Sequence, residues 1–238
     1  MQEPLLDIRN ITASYGDLQV LWDISLNAQE KEIIAVLGAN GAGKSTLLRC
    51  IAGLHRLDGG AVHFKGRDLQ SIPPYRRINE GIMLVPEERG VFPELSVEEN
   101  LKIGGFIISD KALLKEAFEW VYDLFPILKR RRRQLAGSLS GGEQQMLSIA
   151  RGLISRPRLL MLDELSLGLA PVVVLKLLDM IRIIHEMGIT LIVVDQNVDK
   201  LLSISDRGYI LENGRVVLEG EAEKIRKDPK TKTAFLGR

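Results

Sequence analysis

Disulfides and a dominant charge are both missing from this chain of 238 residues. Its single cysteine, Cys50, excludes an internal disulfide, and the apolar residues around it predict a packed thiol in a reducing compartment. Lysine and arginine total 32 against 31 acidic residues, so no overall field favours a nucleic-acid partner. The composition therefore excludes a disulfide scaffold and argues against a nucleic-acid-binding protein.

Uninterrupted hydrophobic runs of membrane-spanning length are missing as well. The longest apolar-rich stretch, residues 159–181, is broken by charged residues, among them Asp163 and Glu164, so no segment is expected to span a bilayer. The first residues, Met1-Gln2-Glu3-Pro4, show no basic region followed by an apolar run, and no signal peptide is expected. Any membrane role is expected to come through partners.

The residues Gly38-Ala39-Asn40-Gly41-Ala42-Gly43-Lys44-Ser45-Thr46 match the pattern GxxxxGK[ST] in full. They lie between a predicted buried strand (33–37) and a predicted helix, whose start offers unpaired N–H groups to an anion. We predict that this phosphate loop (residues 38–46) binds a nucleoside triphosphate. Lys44 can reach the β- and γ-phosphates and Ser45 can be a ligand of Mg²⁺. A glycine turn without a ligand is the competing interpretation.

A second landmark is Leu139-Ser140-Gly141-Gly142-Glu143-Gln144-Gln145, which opens a predicted amphipathic helix that Pro157 ends. Ser140 and Glu143 form a capping box, and this alone explains the pattern structurally. Two glycines after the cap leave the N-terminal amides uncovered, and such a helix end can receive an anion. Both interpretations stay open at this point.

A third landmark is the segment Leu159-Leu160-Met161-Leu162-Asp163-Glu164. Four apolar residues that run into two carboxylates predict a buried strand with acids at its C-terminal end. In phosphate-loop NTPases such an aspartate holds Mg²⁺, and the adjacent glutamate is placed to polarise water. A strand that ends in exposed acids is the alternative.

The remaining sequence predicts an α/β fold in one large domain, without internal repeats or linkers. Antiparallel strands are expected within 5–30 and 59–70, further strands near 81–85 and 189–194, and helices over about 95–155, 172–187 and 197–205. A hairpin turning at Asn213-Gly214 follows, then a short charged helix and tail from about 221. Apolar strands alternating with helices imply a parallel sheet that is covered on both faces.

Two features of the sequence each allow two interpretations. Tyr15 can stack on a base bound beside the phosphate loop, or it can pack on a strand face. The five consecutive cations at residues 129–133 are either a solvated helix end or a basic patch for anionic lipid or a membrane partner.

With the three landmarks in this order, the chain resembles the ATP-binding-cassette (ABC) ATPases across nearly its whole length. The second landmark, residues 139–145, distinguishes this family from the others, since a phosphate loop alone fits kinases, GTPases or helicases equally. The resemblance implies a P-loop, RecA-like core over residues 1–238 with an N-terminal antiparallel β-subdomain. It also implies an inserted α-helical subdomain at about 88–156.

The resemblance further implies a mechanism in which two ATPase subunits meet head to tail. Each ATP lies between the phosphate loop of one subunit and the signature turn of the other, here Ser140, Gly141, Gly142 and Glu143. Asp163 would then hold Mg²⁺, Glu164 would be the general base, and Tyr15 would stack on adenine. Residues 166–169 match the loop that crosses the dimer interface.

Three positions depart from the general family pattern. Glu87 stands where a glutamine usually contacts Mg²⁺ and water, so we assign Glu87 to the metal site with Ser45 and Asp163. Gln196 replaces a histidine that contacts the γ-phosphate. An amide can donate a hydrogen bond there but cannot titrate. We assign Gln196 to the catalytic group with Glu164 and Lys44. Leu165 replaces the usual proline and is expected to loosen its loop.

Sequence position excludes all three histidines, His55, His63 and His185, from the γ-phosphate role.

Val85-Pro86-Glu87, Asp195-Gln196-Asn197 and residues 166–171 are similar to one branch, the smaller ATPase subunit of branched-chain (hydrophobic) amino-acid importers. That branch implies a peripheral protein at the cytoplasmic face of the inner membrane. Its expected partners are two permease subunits, an extracytoplasmic solute-binding protein and a second ATPase subunit, which is either a different chain or, in isolation, a second copy of this one. No nucleic acid is expected. The alternatives are a urea or amide importer, an exporter, or a non-transport ABC ATPase that acts on nucleic acid or ribosomes.

Overall fold

The computed structural model describes residues 3–88, 90–228 and 231. Its strands are β1 (Leu6–Tyr15), β2 (Leu18–Ala28), β3 (Ile33–Leu37), β4 (Gly59–Phe64), β5 (Arg67–Asp68), β6 (Ile82–Val85), β7 (Leu159–Asp163), β8 (Thr190–Val194), β9 (Arg207–Glu212) and β10 (Arg215–Glu221). Its α-helices are α1 (Lys44–Ala52), α2 (Pro74–Arg77), α3 (Val97–Gly104), α4 (Lys111–Leu124), α5 (Pro126–Arg130), α6 (Gly141–Leu153), α7 (Pro171–Glu186), α8 (Val198–Leu202) and α9 (Ala222–Lys227).

The strands form two sheets, a six-stranded one in the order β10-β9-β3-β8-β7-β6 and a four-stranded one in the order β2-β1-β4-β5. In the larger sheet β9, β3, β8, β7 and β6 are parallel, and β10 is an antiparallel edge strand. Every residue of β3, β7 and β8 is buried, as expected for parallel strands that are covered on both faces. The smaller sheet is antiparallel throughout, as the sequence predicted.

Alternate residues of β3 enter two different hydrophobic cores. Ile33, Ala35 and Leu37 pack on the side of α6 and α7, whereas Ile34 and Val36 pack towards α1 and the smaller sheet. Side chains alternate across a strand, so this division follows from the period of two. The prediction of a parallel sheet with both faces covered is confirmed.

The helices α3 to α6 lie between β6 and β7, in the segment where the sequence predicted an inserted subdomain. Ser96 and Glu99 close the capping box of α3. Within the helical stretch predicted over about 95–155, α4 ends at Leu124 and a separate α5 begins at Pro126, a division that the sequence did not predict. The boundary of a subdomain at about 88–156 stays a prediction.

The C-terminal end of α1 is closed by the buried guanidinium of Arg77. It donates hydrogen bonds of 2.6 to 3.1 Å to the carbonyls of Cys50, Ile51, Leu69 and Ile72. Gly53 leaves the room for this group, because a Cβ there would lie 2.6 Å from Arg77 Cζ. The helix that starts at the phosphate loop is therefore anchored at both ends.

The thiol of Cys50 is packed as predicted, and burial raises its pKa to about 12. Within residues 3–88 and 90–228, no helix is both long and apolar enough to cross a bilayer. The predicted charged helix near the C-terminus is α9. Most of the tail predicted after α9, residues 229, 230 and 232–238, lies outside the described residues. The same holds for Arg89 in the loop after β6.

Candidate active site

The phosphate loop turns directly from the buried strand β3 into α1. Its glycines are needed, since Gly41 and Gly43 have φ values of 80° and 99°, in the left-handed region. A Cβ on Gly43 would also lie 2.7 Å from Leu21 Cδ2 of β2. The first turn of α1 contains no acidic residue, so nothing on this helix offsets the positive end of its dipole. This arrangement suits an anion.

The ammonium group of Lys44 is buried and has three polar partners within the chain, two carbonyl oxygens and one carboxylate. Nζ lies 3.0 Å from the Gly38 carbonyl oxygen, 3.1 Å from that of Ala39 and 3.3 Å from Glu164 Oε1. Lys44 is only 4% exposed and Glu164 only 8%. A phosphate that approaches Lys44 therefore has to replace some of these contacts, and the carboxylate is the one that a second anion displaces most readily.

Ser45 and Asp163 meet at the ends of α1 and β7, where Ser45 Oγ donates a 3.0 Å hydrogen bond to Asp163 Oδ1. Burial raises the pKa of Asp163, and the charges of Glu164 and Glu87 add to this rise while the Ser45 hydrogen bond opposes it. Three carboxylates thus concentrate negative charge around one hydroxyl. Such hard oxygen donors suit a magnesium ion.

Mg²⁺ usually takes only one or two protein ligands and completes its shell with water and substrate phosphates. Ser45 and Asp163 fit that role. Within residues 3–88, 90–228 and 231, no group of three or more His, Cys, Asp or Glu side chains is arranged to hold a metal. Glu87 is exposed and influences Asp163 through its charge. Its assignment as a ligand stays a prediction.

Glu164 is held in an uncommon backbone conformation, with φ at 49°. Its N–H donates to the Val194 carbonyl at the end of β8, over 2.9 Å. Gln196 Nε2 donates to Glu164 Oε2 over 2.8 Å, while Lys44 holds Oε1. The structure thus brings the three predicted catalytic residues, Lys44, Glu164 and Gln196, into one group.

Sequence reasoning missed Asp195, which joins the loop after β7 to the loop after β8. Its carboxylate accepts hydrogen bonds from the Ser166 N–H at 2.9 Å, the Ser166 hydroxyl at 2.7 Å and the Asn197 N–H at 2.8 Å. The available signal was an acid directly after a buried apolar strand, the same pattern that identified Asp163. Leu165 in the same loop is buried and packs in the core with apolar residues of α7, while the expectation that it loosens the loop stays a prediction.

The signature turn (residues 140–143) forms the start of α6, and its Ser140 and Glu143 hydrogen-bond to each other. Glu143 Oε2 accepts from the Ser140 N–H at 3.0 Å and from the Ser140 hydroxyl at 2.9 Å, so the predicted capping box is confirmed. Gly142 lies against α7, where a Cβ would stand 2.7 Å from Val173 Cγ1. None of the hydrogen bonds or ion pairs of these four described residues reaches the phosphate loop. Its role towards a phosphate stays a prediction.

Part of the basic run at residues 129–133 has acidic partners. Lys129 Nζ lies 2.8 Å from Glu119 Oε2, and Arg131 Nη2 lies 3.3 Å from Glu143 Oε1 of the signature turn. The run comprises the last two residues of α5 and the turn that follows, and it lies at the surface. These contacts favour the interpretation of a solvated helix end.

Tyr15 lies at the end of β1 with 44% of its surface exposed. Its ring stacks on that of His55, with centroids 4.2 Å apart and planes inclined by 28°. The other two histidines lie elsewhere, His63 in β4 and His185 in α7. The exposed ring favours the stacking interpretation for Tyr15, and its contact with a base stays a prediction.

Comparison with known proteins is consistent with this geometry. A family model described as ABC transporter matches residues 21–166. Over 233 residues the chain is 42% identical to the high-affinity branched-chain amino acid transport ATP-binding protein BraG of Pseudomonas aeruginosa, covering 98% of this chain and all of BraG. It is 38% identical over 228 residues to the probable branched-chain amino acid transport ATP-binding protein LivF of Archaeoglobus fulgidus, covering 95% and 96%.

Similarity extends to a protein of an export system and to solved structures. The chain is 32% identical over 235 residues to the lipopolysaccharide export system ATP-binding protein LptB of Haemophilus influenzae, covering 98% and 97%. A crystal structure of an ATP-binding cassette of an ABC transporter, in its ADP conformation, matches with a TM-score of 0.88 at 25% identity over the full length of both chains. The predicted phosphate-loop α/β fold is thereby confirmed.

Proposed function

The chain belongs to the ABC transporter family of ATP-binding proteins, which are ATPases, and on that premise we propose that it drives a branched-chain amino-acid importer. The observation that carries the motor role is the Glu164 carboxylate, held between Lys44 and Gln196 at the edge of the parallel sheet. The 42% identity to BraG over nearly the whole chain supports the choice of substrate class.

ATP binds to the phosphate loop with its β- and γ-phosphates against Lys44 and the start of α1. Ser45 and Asp163 would hold Mg²⁺, with Glu87 near by, and the ion would offset negative charge on the phosphates. Because Lys44 Nζ lies 3.3 Å from Glu164 Oε1, a phosphate that attracts Lys44 releases one carboxylate oxygen. Tyr15 offers an exposed ring to the base.

Glu164 is the general base in this proposal. The oxygen that Lys44 releases orients a water molecule and accepts its proton as the water oxygen bonds to the γ-phosphorus. The bond between that phosphorus and the oxygen that bridges it to the β-phosphate breaks, and ADP leaves with that oxygen. Gln196 keeps its hydrogen bond to the other oxygen, Oε2, so the carboxylate stays in place while Lys44 moves. Gln196 acts through Glu164 and does not itself exchange a proton.

A second ATPase subunit completes the site through its signature turn. In this chain the turn is capped at the surface, and its hydrogen bonds are local. Gly142 of the turn packs against Val173 of α7, and Val172 and Leu175 of the same helix are each more than half exposed, as is Leu167 in the loop before it. Apolar surface next to a free helix start suits a head-to-tail contact with another ATPase subunit.

The permease is proposed to dock in a groove of about 170 Å³ between β6 and the helices α3 and α6. Apolar groups line it, including Ile78, Met83 and Phe106, and Phe106 is largely exposed. The Ser148 hydroxyl faces this groove buried and without a hydrogen-bond partner in the chain. An amphipathic permease helix with one polar contact fits this surface and would hold the protein at the cytoplasmic face of the inner membrane.

The importer role also implies a solute-binding protein outside the membrane and a different second ATPase subunit. The 32% identity to LptB favours one alternative, an exporter ATPase with the same motor chemistry. Membrane subunits that copurify with the chain would separate the two, because the ATPase itself does not touch the transported molecule.

Replacing Glu164 by Gln tests the motor role. The amide keeps the shape and the hydrogen bond to Gln196 but cannot accept a proton, so turnover should fall about 100- to 10,000-fold. ATP should still bind with near-normal affinity, and an ATP-bound dimer should accumulate in size-exclusion chromatography. Full turnover in Glu164→Gln would contradict the assignment of the general base.

A further inference from the structure

The ring of Tyr15 has one face covered and one face free. His55 stacks on it at 4.2 Å between ring centroids, yet Tyr15 keeps 44% of its surface exposed. A nucleotide base therefore has one face on which to stack. The position of that face depends on how firmly the chain holds the tyrosine.

His55 is itself fixed by the end of α1. Its Nε2 lies 3.1 Å from the Ser14 carbonyl oxygen, and its backbone N–H donates to the Arg49 carbonyl over 3.2 Å. The turn that carries His55 leaves α1 at Gly53, whose φ of 75° only glycine adopts easily. The imidazole is thus tied to the backbone before Tyr15 and to the helix that begins at the phosphate loop.

Arg49 of α1 lies near the tyrosine as well, and the Tyr15 side chain raises the pKa of Arg49. An exposed tyrosine at a strand end would otherwise lose rotamer freedom when a base binds. The stack with His55, which follows α1 in the chain, removes part of that freedom in advance, so the base platform is tied to the helix that begins at the phosphate loop.

We propose that His55 is a positioning residue for nucleotide binding, because it orders Tyr15 as a platform for the base. This inference rests on the proposed function, in which Tyr15 contacts the base. Loss of an aromatic stack corresponds to about a 3- to 10-fold change in an equilibrium constant. His55→Ala should therefore weaken ATP binding by about that factor, and His55→Phe should restore it.

The experiment is isothermal titration of the purified full chain with MgATP and, separately, with magnesium tripolyphosphate, which has phosphates but no base. His55→Ala should lose affinity for ATP alone, and Leu54→Ala, an exposed neighbour, should bind both ligands as the unchanged chain does. In a Tyr15→Ala background, His55→Ala should have no further effect, since the platform is already gone. Thermal unfolding checks that each variant is folded.

Two results would overturn the inference in distinguishable ways. If Tyr15→Ala weakens ATP binding but His55→Ala does not, the base contact stands and the role of His55 is wrong. If Tyr15→Ala leaves ATP binding unchanged, the base contact itself is wrong and the inference fails with it. Equal weakening of ATP and tripolyphosphate by His55→Ala would show a general defect and would also contradict the proposal.

Discussion

Two glycine-rich helix starts in this chain differ in where their polar groups find partners. At the phosphate loop, Lys44 and Ser45 contact Glu164 and Asp163, which lie far away in sequence, and the assembly is buried. At the signature turn, Ser140 and Glu143 bond to each other and to Arg131, near by and at the surface. The first is a site built by the fold of one chain. In the proposed function, the second becomes a site only when another subunit brings a phosphate to it.

The strongest test of the first half of this comparison is Lys44→Ala. The loss of charge-assisted hydrogen bonds to phosphate, about 3 kcal/mol, should weaken ATP binding about 100-fold. Turnover should fall by a further factor of about 100, because the same group faces the phosphate that is transferred. Titration and steady-state phosphate release measure both.

Lys102→Ala is the control for Lys44→Ala. Its side chain is 59% exposed and forms an ion pair with Glu98 of the same helix, far from the phosphate loop in sequence, so both ATP affinity and turnover should stay unchanged. Normal ATP affinity in Lys44→Ala would refute the assignment of the phosphate loop.

The signature turn should behave differently when Gly141 is replaced by Asp. A carboxylate at the start of α6 repels a phosphate brought by another subunit, and turnover should fall about 100-fold. ATP binding to the isolated chain should change less than about 2-fold, since the phosphate loop is untouched. Gly141→Ala, which adds no charge, should lose much less turnover. A large loss of ATP affinity in Gly141→Asp would break the comparison, because it would place the turn in the same site as the loop.

The smallest effect concerns the stability of the buried site. Because burial raises the pKa of Asp163, the folded chain disfavours its ionised form. The favourable contribution of Asp163 to the free energy of unfolding is therefore lost as the pH rises above the ordinary pKa of an aspartate, and it is regained as the pH falls. Asp163→Asn should raise the unfolding midpoint at pH 7 by about 2–4 °C, or about 1 kcal/mol.

The control for Asp163→Asn is Asp179→Asn, whose carboxylate is exposed on α7 and should leave the midpoint unchanged. The comparison is made without nucleotide or magnesium, so that ligand binding does not add to stability. A lowered midpoint in Asp163→Asn would show that its charge stabilises the folded chain.

Sequence patterns predicted the parts of the site that are contiguous in the chain. The phosphate loop, the acids after β7 and the capping box of α6 each need only a few neighbouring residues. The contacts of Asp195 with Ser166 and of His55 with Tyr15 were missed, because each forms only when separate elements pack together. The separate helix α5 was missed for a local reason, since Pro126 starts a new helix as well as ending the old one.

The central claim, that the signature turn acts on the ATP of another subunit, is tested most directly by mixing two inactive variants. Lys44→Ala has a damaged phosphate loop and an intact turn, and Gly141→Asp has the reverse. In a head-to-tail dimer of one chain of each kind, one site is damaged twice and the other is intact. With random pairing, about a quarter of the unmodified turnover should return, since half of the dimers are mixed and each has one working site of two. A mixture no more active than the average of the two variants would contradict the claim.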